Sequence, residues 1–499
     1  MQTKVVSKIS KEAKQCLISF VSINSKGSVT SSSADKAVSA LLKKYVDAEE
    51  FKGELGEALI LREVSIEDAN NLLLVGLGKS KGLDQERLRR ATAFAYRALR
   101  KEKQKAASVD LDSLKILKDK LSEKAYVISE SVELTNYKYT QFLSEATQHQ
   151  VSLEFVASKA ADKKQLETGV KQGEAMASGV NFARTVSDAP SNYMTPAQLA
   201  KDTQKAAKGS KLKVTVWDLP RIKKEKLGAL IGVAQGSEND PRVIIMEYNG
   251  AAKSKTPIAL VGKGLTFDTG GISIKPSMNM EAMKYDMCGG ANTIGTMLAI
   301  AKLGLKVNVI AYVGAVENMP DGKAINPGDI LTSRSGKTIE VINTDAEGRL
   351  VMSDLITLAT EKKPASLFTM ATLTGAVIVA LGHLHTGIFS FNQKLIDKIK
   401  KSADEVGEDV WQLPVTDQHV KQMKSSPYAD LSNMGVPMRA AGSAQAAAFL
   451  TQFVENEVPY AHFDIASQMS DMGGIYPYHP DKGACGAMVR TWVEYIRKA

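Results

Sequence analysis

The stretch IALVGKGLTFDTGGISIK, residues 258–275, indicates the class of the fold and the place of its chemistry. Its first four residues are apolar, as in a buried strand, and Lys263, Asp268 and Lys275 follow among glycines. Ligands of open α/β sheets bind beyond the carboxyl ends of strands, where glycines allow sharp turns and close backbone approach. The stretch therefore predicts either a functional site or a structural ion-pair loop, and by itself it leaves both open.

Apolar segments of strand length recur along the chain and alternate with segments of helical pattern. In the C-terminal two-thirds, strands are predicted at 243–248, 307–316 and 366–372, and helices at 289–303 and 350–361. In the N-terminal third, strands are predicted at 16–23, 71–77 and 124–130, and helices at 37–45 and 83–100. This alternation is typical of α/β domains, in which the sheet is mostly parallel.

We place a domain boundary near residue 165, where a mixed polar stretch precedes a long helix predicted over 165–187. The turn formers at 188–192 end that helix, and Thr195-Pro196 caps and starts the next one. The predicted fold class is therefore α/β. A smaller N-terminal α/β domain, residues 1–165, is followed by a larger C-terminal α/β domain, residues 166–499, with a mostly parallel central sheet.

The composition is that of an ordinary globular protein. The chain has 499 residues, 44% of them apolar, and a net charge of +9, which excludes a disordered tail protein, a collagen-like rod and a disulfide scaffold. Residues 1–165 carry 28 basic and 22 acidic side chains, an excess of +6 that favours a solvated lysine-rich surface. Three scattered cysteines and no apolar run of membrane-spanning length predict a cytoplasmic protein without membrane contact.

A second polar segment, MKYDMCGG at 283–290, places Asp286 just before a glycine-rich helix start. A carboxylate is stabilised at a helix N-terminus, so a capping role for Asp286 is the simpler interpretation of this segment alone. A role as a ligand remains open beside it.

The third segment, NTDAEGRL at 343–350, favours a functional role most strongly. In an extended stretch, Asp345, Glu347 and Arg349 would share one face, because alternate side chains of a strand point the same way. Two adjacent carboxylates repel each other, and a single arginine offsets this only in part. The pattern is therefore costly unless cations are present.

The three segments together supply four carboxylates, from Asp268, Asp286, Asp345 and Glu347. Hard oxygen ligands of this kind suit Mg²⁺, Mn²⁺ or Zn²⁺. None of the six histidines lies near them in sequence, and HExxH is absent, which excludes a zincin-type site. His383-Leu-His385 has a spacing that could bind metal on a strand, but two loop histidines are the simpler interpretation.

NTDAEGRL at 343–350, GKGLTFDTGGISIKP at 262–276, MKYDM at 283–287 and ATLTGA at 371–376 resemble the cytosolic leucyl aminopeptidases. The resemblance covers about residues 175–499 well, and the N-terminal third matches in general layout. It implies a metallo-exopeptidase with two divalent metal ions per subunit, Mn²⁺ or Zn²⁺. The substrates it implies are peptides with a free N-terminus, leucine-like residues being preferred.

The resemblance also assigns roles to single residues. It makes Lys263, Asp268, Asp286, Asp345 and Glu347 the metal ligands, with Asp268 and Glu347 bridging both ions. Lys275 and Arg349 become the catalytic side chains, Lys275 stabilising an oxyanion and Arg349 holding a bicarbonate ion that serves as base. The pocket for the first side chain is assigned to Met283, Asn343, Leu373, Gly375, Ala466 and Met469.

The resemblance further implies a homohexamer, with oligomer contacts and a regulatory role for the N-terminal domain. Some bacterial members of the family bind DNA, and the basic excess of residues 1–165 is compatible with that. Because no helix-turn-helix and no basic motif with interleaved aromatic residues is visible, we regard DNA binding as a second activity at most.

Overall fold

The computed structural model describes residues 2–64, 66, 69–146, 149–157, 159–438, 440–471 and 474–499. The chain divides into two compact units. The first is Met1–Ser178 with Gly473–Asp481, and the second is Gly179–Met472 with Lys482–Ala499. Both contain a sheet flanked by helices, so the predicted arrangement of a smaller N-terminal and a larger C-terminal α/β domain is confirmed.

The first unit is built on a mixed sheet. Its strands are β1 (Thr3–Val6), β2 (Leu17–Ile23), β3 (Val29–Ser31), β4 (Ala58–Leu61), β5 (Leu72–Lys79), β6 (Ala106–Val109) and β7 (Ser152–Val156). They lie in the order β1-β7-β6-β2-β5-β4, with β3 beside β2. The four pairings from β1 to β5 are parallel, while β3 and β4 pair antiparallel with their neighbours.

The helices of this unit are α1 (Lys36–Asp47), α2 (Gln85–Lys101), α3 (Leu121–Asn136) and the first part of α4 (Ala160–Asp188). The strand predicted at 124–130 is wrong, because these residues lie inside α3. The helix is buried along most of its length, so its apolar residues show no helical period, and a short apolar run then looks the same in a strand and in a buried helix.

The second unit holds the larger sheet. Its strands are β8 (Leu212–Trp217), β9 (Arg242–Asn249), β10 (Ile258–Asp268), β11 (Asn308–Asn318), β12 (Ile330–Thr332), β13 (Thr338–Glu340), β14 (Ser366–Ala371), β15 (Thr386–Phe389), β16 (Val410–Gln412), β17 (Leu431–Ser432), β18 (Tyr460–Asp464), β19 (Ser470–Asp471) and β20 (Gly483–Ala484). The main sheet has the order β16-β15-β18-β14-β10-β11-β9-β8. β11, β10, β14 and β18 run parallel to one another, so their carboxyl ends meet at one edge.

Helices cover this sheet: α5 (Pro196–Ala207), α6 (Leu219–Lys224), α7 (Gly228–Ala234), α8 (Cys288–Leu303), α9 (Gly348–Thr360), α10 (Gly375–Leu381), α11 (Gln393–Val406), α12 (Asp417–Met423), α13 (Gly442–Thr451) and α14 (Val489–Arg497). In the core, α9 packs against β10 and β11, α7 packs against β11 and α9, and α13 packs against α9 and β18. Buried aliphatic side chains such as Leu230, Leu355 and Val261 form these contacts.

α8 begins beside the end of β14 and the middle of β10, because Gly289 lies close to Met370 and Ala371, and Gly290 lies close to Lys263 and Gly264. α9 begins at Gly348, beside the side chain of Lys263.

No helix among the described residues is long and apolar enough to cross a membrane. All three cysteines, Cys16, Cys288 and Cys485, are buried free thiols.

Candidate metal centre

The carboxyl edge of the larger sheet gathers the charged residues of the three sequence motifs. Lys263 and Asp268 lie on β10, Asp286 lies in a 3₁₀ helix (Met280–Met287) that leads into α8, and Asp345 and Glu347 come just before α9. One ligand oxygen of each of the buried residues Asp268, Asp286 and Glu347 lies within 4.8 Å of the other two. The structure thus brings all five residues into one centre.

Lys263 lies in the middle of this centre. Its Nζ donates to Asp286 Oδ1 at 2.8 Å and to the carbonyl oxygen of Thr372 at 2.9 Å, and it lies 2.9 Å from Glu347 Oε1. Burial lowers the pKa of Lys263, but the charges of Asp286, Glu347 and Asp268 outweigh burial and raise the pKa above its ordinary value. Without a metal ion, the ammonium group is therefore the cation that the carboxylates surround.

Lys275 supplies a second ammonium group nearer the surface, where 20% of its side chain is exposed. Its Nζ lies 2.7 Å from Asp268 Oδ2 and forms a close ion pair with Asp345. Burial lowers its pKa, while the surrounding carboxylates, with Asp268 first, raise it above the ordinary value. Lys275 is therefore charged at neutral pH.

Asp268 is held in place by the loop that follows it. Its Oδ1 accepts from Gly270 N at 2.9 Å and from Asn318 Nδ2 at 2.8 Å. Gly270 has a φ of +88°, and a Cβ there would lie 2.9 Å from Asp345 Oδ1. Only glycine fits this turn without displacing a carboxylate.

The raised pKa values of the carboxylates reflect their burial and the closeness of their negative charges. Burial and then the charge of Glu347 raise the pKa of Asp345 to about 6. Burial is also the largest cause of the raised pKa of Asp286, and of the raised pKa of Glu347, to which the charge of Asp268 contributes. A site that disfavours ionised carboxylates in this way is stabilised by bound cations.

The donor set fits divalent cations. Four carboxylates face two ammonium groups, so the cluster keeps an excess of negative charge. Asp286 Oδ2 is buried and lies 2.8 Å from Lys263 Nζ, but it accepts no hydrogen bond of acceptable geometry. Oxygen-rich ligand sets with an unsatisfied buried oxygen suit Mg²⁺, Mn²⁺ or Zn²⁺.

The structure decides two points of local geometry that the sequence leaves open. Residues 343–347 are not extended: Asp345 lies in a turn, and Glu347 has helical dihedral angles immediately before α9. Glu347 and Arg349 therefore do not share the face of a strand. Asp286 does not cap a helix, since its Oδ1 accepts from Lys263 and from Thr372 Oγ1, the latter at 2.8 Å. In both segments side-chain contacts with distant residues determine the local geometry.

Arg349 lies in the first turn of α9 and is buried. Its Nη1 donates to the carbonyl oxygen of Asn433 at 2.8 Å, while its Nε has no acceptor among the described residues. Burial lowers the pKa of Arg349 to about 10, although Glu347 and Asp464 oppose the shift. The guanidinium group therefore stays charged at neutral pH and has a free donor for an anion or water.

The residues predicted to line a side-chain pocket fall into segments around this centre. Met283 belongs to the same 3₁₀ helix as Asp286, and the side chain of Asn343 accepts from Asp345 N at 2.9 Å. Leu373, Gly375, Ala466 and Met469 lie in the segments that follow β14 and β18. Leu373 N and Ala466 N both donate to Asp464 Oδ1, which joins these two segments.

His383 and His385 belong to a different part of the fold. His383 Nδ1 lies 3.0 Å from the carbonyl oxygen of Ser467, and the ring of His385 meets Trp411 edge to face. The structure thus agrees with loop histidines rather than with a metal site.

Sequence reasoning missed four polar residues that hold the centre together. Asn318 donates to Asp268, Thr372 donates to Asp286, and the carbonyl oxygen of Asn433 accepts from Arg349. Asp464 accepts from Leu373 N and Ala466 N. Thr372 lies inside the ATLTGA motif but was not assigned a role. Asn318 and Asp464 each end an apolar strand, as Asp268 does, and that shared position is the signal that could have found them.

Comparison with known proteins shows the family of the chain. The family model "Cytosol aminopeptidase family, catalytic domain" matches residues 181–493, and its N-terminal domain model matches residues 20–146. A probable cytosol aminopeptidase of Bdellovibrio bacteriovorus is 47% identical over 471 residues, which cover 94% of this chain and 93% of that protein. One from Burkholderia mallei is 41% identical over 464 residues, covering 93% and 90%.

Two solved structures resemble the whole chain. The bottromycin maturation enzyme BotP is 28% identical, with a TM-score of 0.83 over 97% of this chain and 98% of that one. Its complex with Mn has a TM-score of 0.84, also at 28% identity, over 97% and 99%. The chain therefore belongs to the cytosol aminopeptidase family, whose members hydrolyse peptides at the N-terminus in a metal-dependent reaction.

Proposed function

We propose that this protein is a leucyl aminopeptidase that uses two divalent metal ions, Mn²⁺ or Zn²⁺, to release leucine-like residues from peptides with a free N-terminus. The observation that carries the proposal is the buried cluster of Asp268, Asp286 and Glu347, into which Lys263 projects. Mn in the complex of BotP, which has the same overall fold, supports Mn²⁺ as one of the ions.

The family resemblance assigns the ligands, and the contacts of this cluster support the assignment. Asp268 and Glu347 would bridge the two ions, Lys263 and Asp286 would complete one site, and Asp345 would complete the other. Lys263 and Asp286 already lie 2.8 Å apart, as partners at one ion must be close. An amine that binds a metal must be neutral, and adjacent dications favour the neutral form of Lys263 because they repel its ammonium form.

Lys275 and Arg349 would supply the other groups that the reaction needs. When bound, the metal ions supply Lewis acidity and lower the pKa of water, as in the known group of two-metal aminopeptidases. Lys275, kept charged by its carboxylate neighbours, donates to the oxygen of the scissile carbonyl as negative charge develops there. Arg349 would hold a bicarbonate ion as general base through its buried Nε, which donates to no group in the described part of the chain.

A preference for leucine-like residues is supported by the apolar character of the proposed pocket. Its members are Met283, Asn343, Leu373, Gly375, Ala466 and Met469, of which only Asn343 has a polar side chain. A pocket of this composition gains affinity from the burial of an aliphatic side chain.

We further propose a cytoplasmic homohexamer, to which the N-terminal domain contributes oligomer contacts and a regulatory role. The buried free thiols support a reducing compartment. Light scattering should give about six times the chain mass of 53.8 kDa, and an active monomer would contradict the hexamer. DNA binding stays a prediction, which a gel shift at two salt concentrations tests, since phosphate contacts weaken steeply with salt.

The proposal is tested by metal removal and restoration. We expect chelated, metal-free protein to lose hydrolysis of leucine p-nitroanilide and to regain it with Mn²⁺ or Zn²⁺. Glu347→Gln should bind less metal and stay inactive, because an amide is a poor bridging ligand. Glu361→Gln, which removes a carboxylate paired with Arg334 on the surface, is the matched control and should behave as wild type. Full activity after verified metal removal would refute the two-metal proposal.

A further inference from the structure

Asp464 ends β18 with a carboxylate that is completely buried. Its Oδ1 accepts from Leu373 N at 3.1 Å, from Thr374 N at 3.4 Å and from Ala466 N at 3.3 Å. Its Oδ2 accepts from Thr374 Oγ1 at 2.6 Å. One side chain thus receives four hydrogen bonds from the two segments that follow β14 and β18.

These bonds reach the start of α10 as well. Thr374 Oγ1 donates to Asp464 and accepts from Val377 N at 3.3 Å, so it caps the first turn of α10. Gly375, the first residue of that helix, therefore has its position fixed through Thr374. The segment 373–375 on one side and Ala466 on the other are both tied to a single carboxylate.

A carboxylate is the side chain that this position requires. An ionised aspartate accepts at both oxygens and has no hydrogen to place, whereas an asparagine amide accepts at one atom only. Burying such a charge is costly unless it is hydrogen-bonded. Burial raises the pKa of Asp464 to about 6, and the hydrogen bonds from Thr374, Leu373 and Ala466 oppose this rise, so that the carboxylate stays mostly ionised at neutral pH. A neutral residue would leave at least one of the donors unsatisfied.

We infer that Asp464 is a positioning residue for substrate selection: it sets the separation of Leu373 and Gly375 from Ala466, and hence the width of the pocket for the first side chain. This inference rests on the proposed function, since the pocket residues are assigned there. Asp464 acts through the segments that it holds and does not touch the substrate.

The experiment compares Thr374→Val, Thr374→Ser and Asp464→Asn with wild type. Valine has nearly the shape of threonine but removes both the bond to Asp464 and the cap on Val377 N, whereas serine keeps both. For each protein we would measure kcat and KM with leucine and alanine p-nitroanilides, bound metal, and thermal stability. The ratio of kcat/KM for leucine over alanine reports the fit of the pocket, because each added methylene is worth roughly tenfold or more in such pockets.

We expect Thr374→Val to lower the leucine-over-alanine ratio by about tenfold, mainly through KM for leucine, with both metals retained. Thr374→Ser should keep the wild-type ratio, and Asp464→Asn should fall between the two, because its amide keeps one accepting oxygen. An unchanged ratio in folded, metal-loaded Thr374→Val would overturn the inference. So would an equal loss of kcat on both substrates or a loss of metal. A wild-type protein that binds metal but hydrolyses neither substrate would instead refute the proposed function.

Discussion

Replacing Gly348 by alanine should weaken metal binding without unfolding the protein. Gly348 is the first residue of α9 and follows Glu347 directly. A Cβ there would lie 2.6 Å from Lys263 Cε and 2.8 Å from both Cδ and Nζ of the same side chain. Lys263 is buried and held by contacts at its Nζ, so it cannot turn away without leaving the centre.

The size of the effect follows from these distances. Carbon atoms pack best at about 3.5–4.0 Å, so Lys263 Cε must move by roughly 0.9 Å to accept the methyl group. Overpacking of this kind typically costs about 1–3 kcal/mol. If the cost appears only when Lys263 binds a metal ion, the affinity falls by about 5–150-fold, at about 1.4 kcal/mol for each factor of ten.

The assay must separate this effect from ordinary destabilisation. Part of the overpacking cost falls on the metal-free protein, because Lys263 occupies the same position without metal. The stability that alanine gains over glycine in a helix, up to about 1 kcal/mol, offsets part of this cost, so the melting temperature of metal-free Gly348→Ala should fall only slightly. Titration calorimetry of metal-free protein with Mn²⁺ measures the affinity. Gly322→Ala is the matched control, because a Cβ at Gly322 meets no atom within 4 Å and its φ is not positive.

We expect one of the two metal sites of Gly348→Ala to weaken, while Gly322→Ala titrates as wild type. Wild-type affinity at both sites in Gly348→Ala would refute the reasoning, since it would mean that Lys263 is not held where metal binds. A fall in affinity accompanied by an equal fall in metal-free stability would show general overpacking instead, and would contradict the specific role of Lys263.

Three further predictions concern the reaction and the fold. N-acetylated leucine p-nitroanilide should not be cleaved, because acetylation removes the free amine that would bind a metal; cleavage at the rate of the free amine would indicate an endopeptidase or amidase. Asp345→Ala and Glu347→Ala should lower kcat/KM most, and Lys275→Ala should lower it by about 10²–10³-fold. Arg349→Ala should keep measurable activity. An Arg349→Ala enzyme that binds both metals and is as inactive as Glu347→Ala would contradict this order. Burial raises the pKa of Asp354 to about 7, so its contribution to stability is present below its unfolded pKa of about 4 and is lost as pH rises through 7. The melting temperature of wild type minus that of Asp354→Asn should therefore fall from pH 5 to pH 7 and then level off, and a difference that does not change with pH would exclude the shift.

Much of the second unit could be predicted from the sequence, because its strands are buried on both faces and show as continuous apolar runs. Residues 243–248, 307–316 and 366–372 were predicted as strands, and the structure has β9, β11 and β14 there. The same rule failed at 124–130, where a helix is equally buried. A short apolar run shows that a segment is buried, but it does not show whether the buried segment is a strand or a helix.

The charged residues of the centre could be predicted as a group, but their geometry could not. Glycines and repelling carboxylates marked 258–275 and 343–350 as unusual, which is a local property of the sequence. The distance from Lys263 to Asp286, by contrast, depends on how α8 and β10 pack, which involves residues far apart in the chain. For this reason the segment 283–290 alone leaves open whether Asp286 is a helix cap or a ligand, whereas in the structure Asp286 accepts from Lys263 and Thr372.

Three of the four residues that sequence reasoning missed, Asn318, Thr372 and Asp464, follow one rule that could have been applied throughout. Asp268, Asn318 and Asp464 each end a strand of the parallel part of the sheet, and Thr372 follows the last residue of β14. Because parallel strands bring their carboxyl ends to one edge, a polar residue at the end of each buried run must lie near the others. Asn318 then binds Asp268, Thr372 binds Asp286, and Asp464 binds the segment after Thr372. The ends of these strands therefore supply a proposed ligand and the groups that hold the ligands in place. A polar residue at the end of a buried strand indicates the position of the site as a sequence motif does.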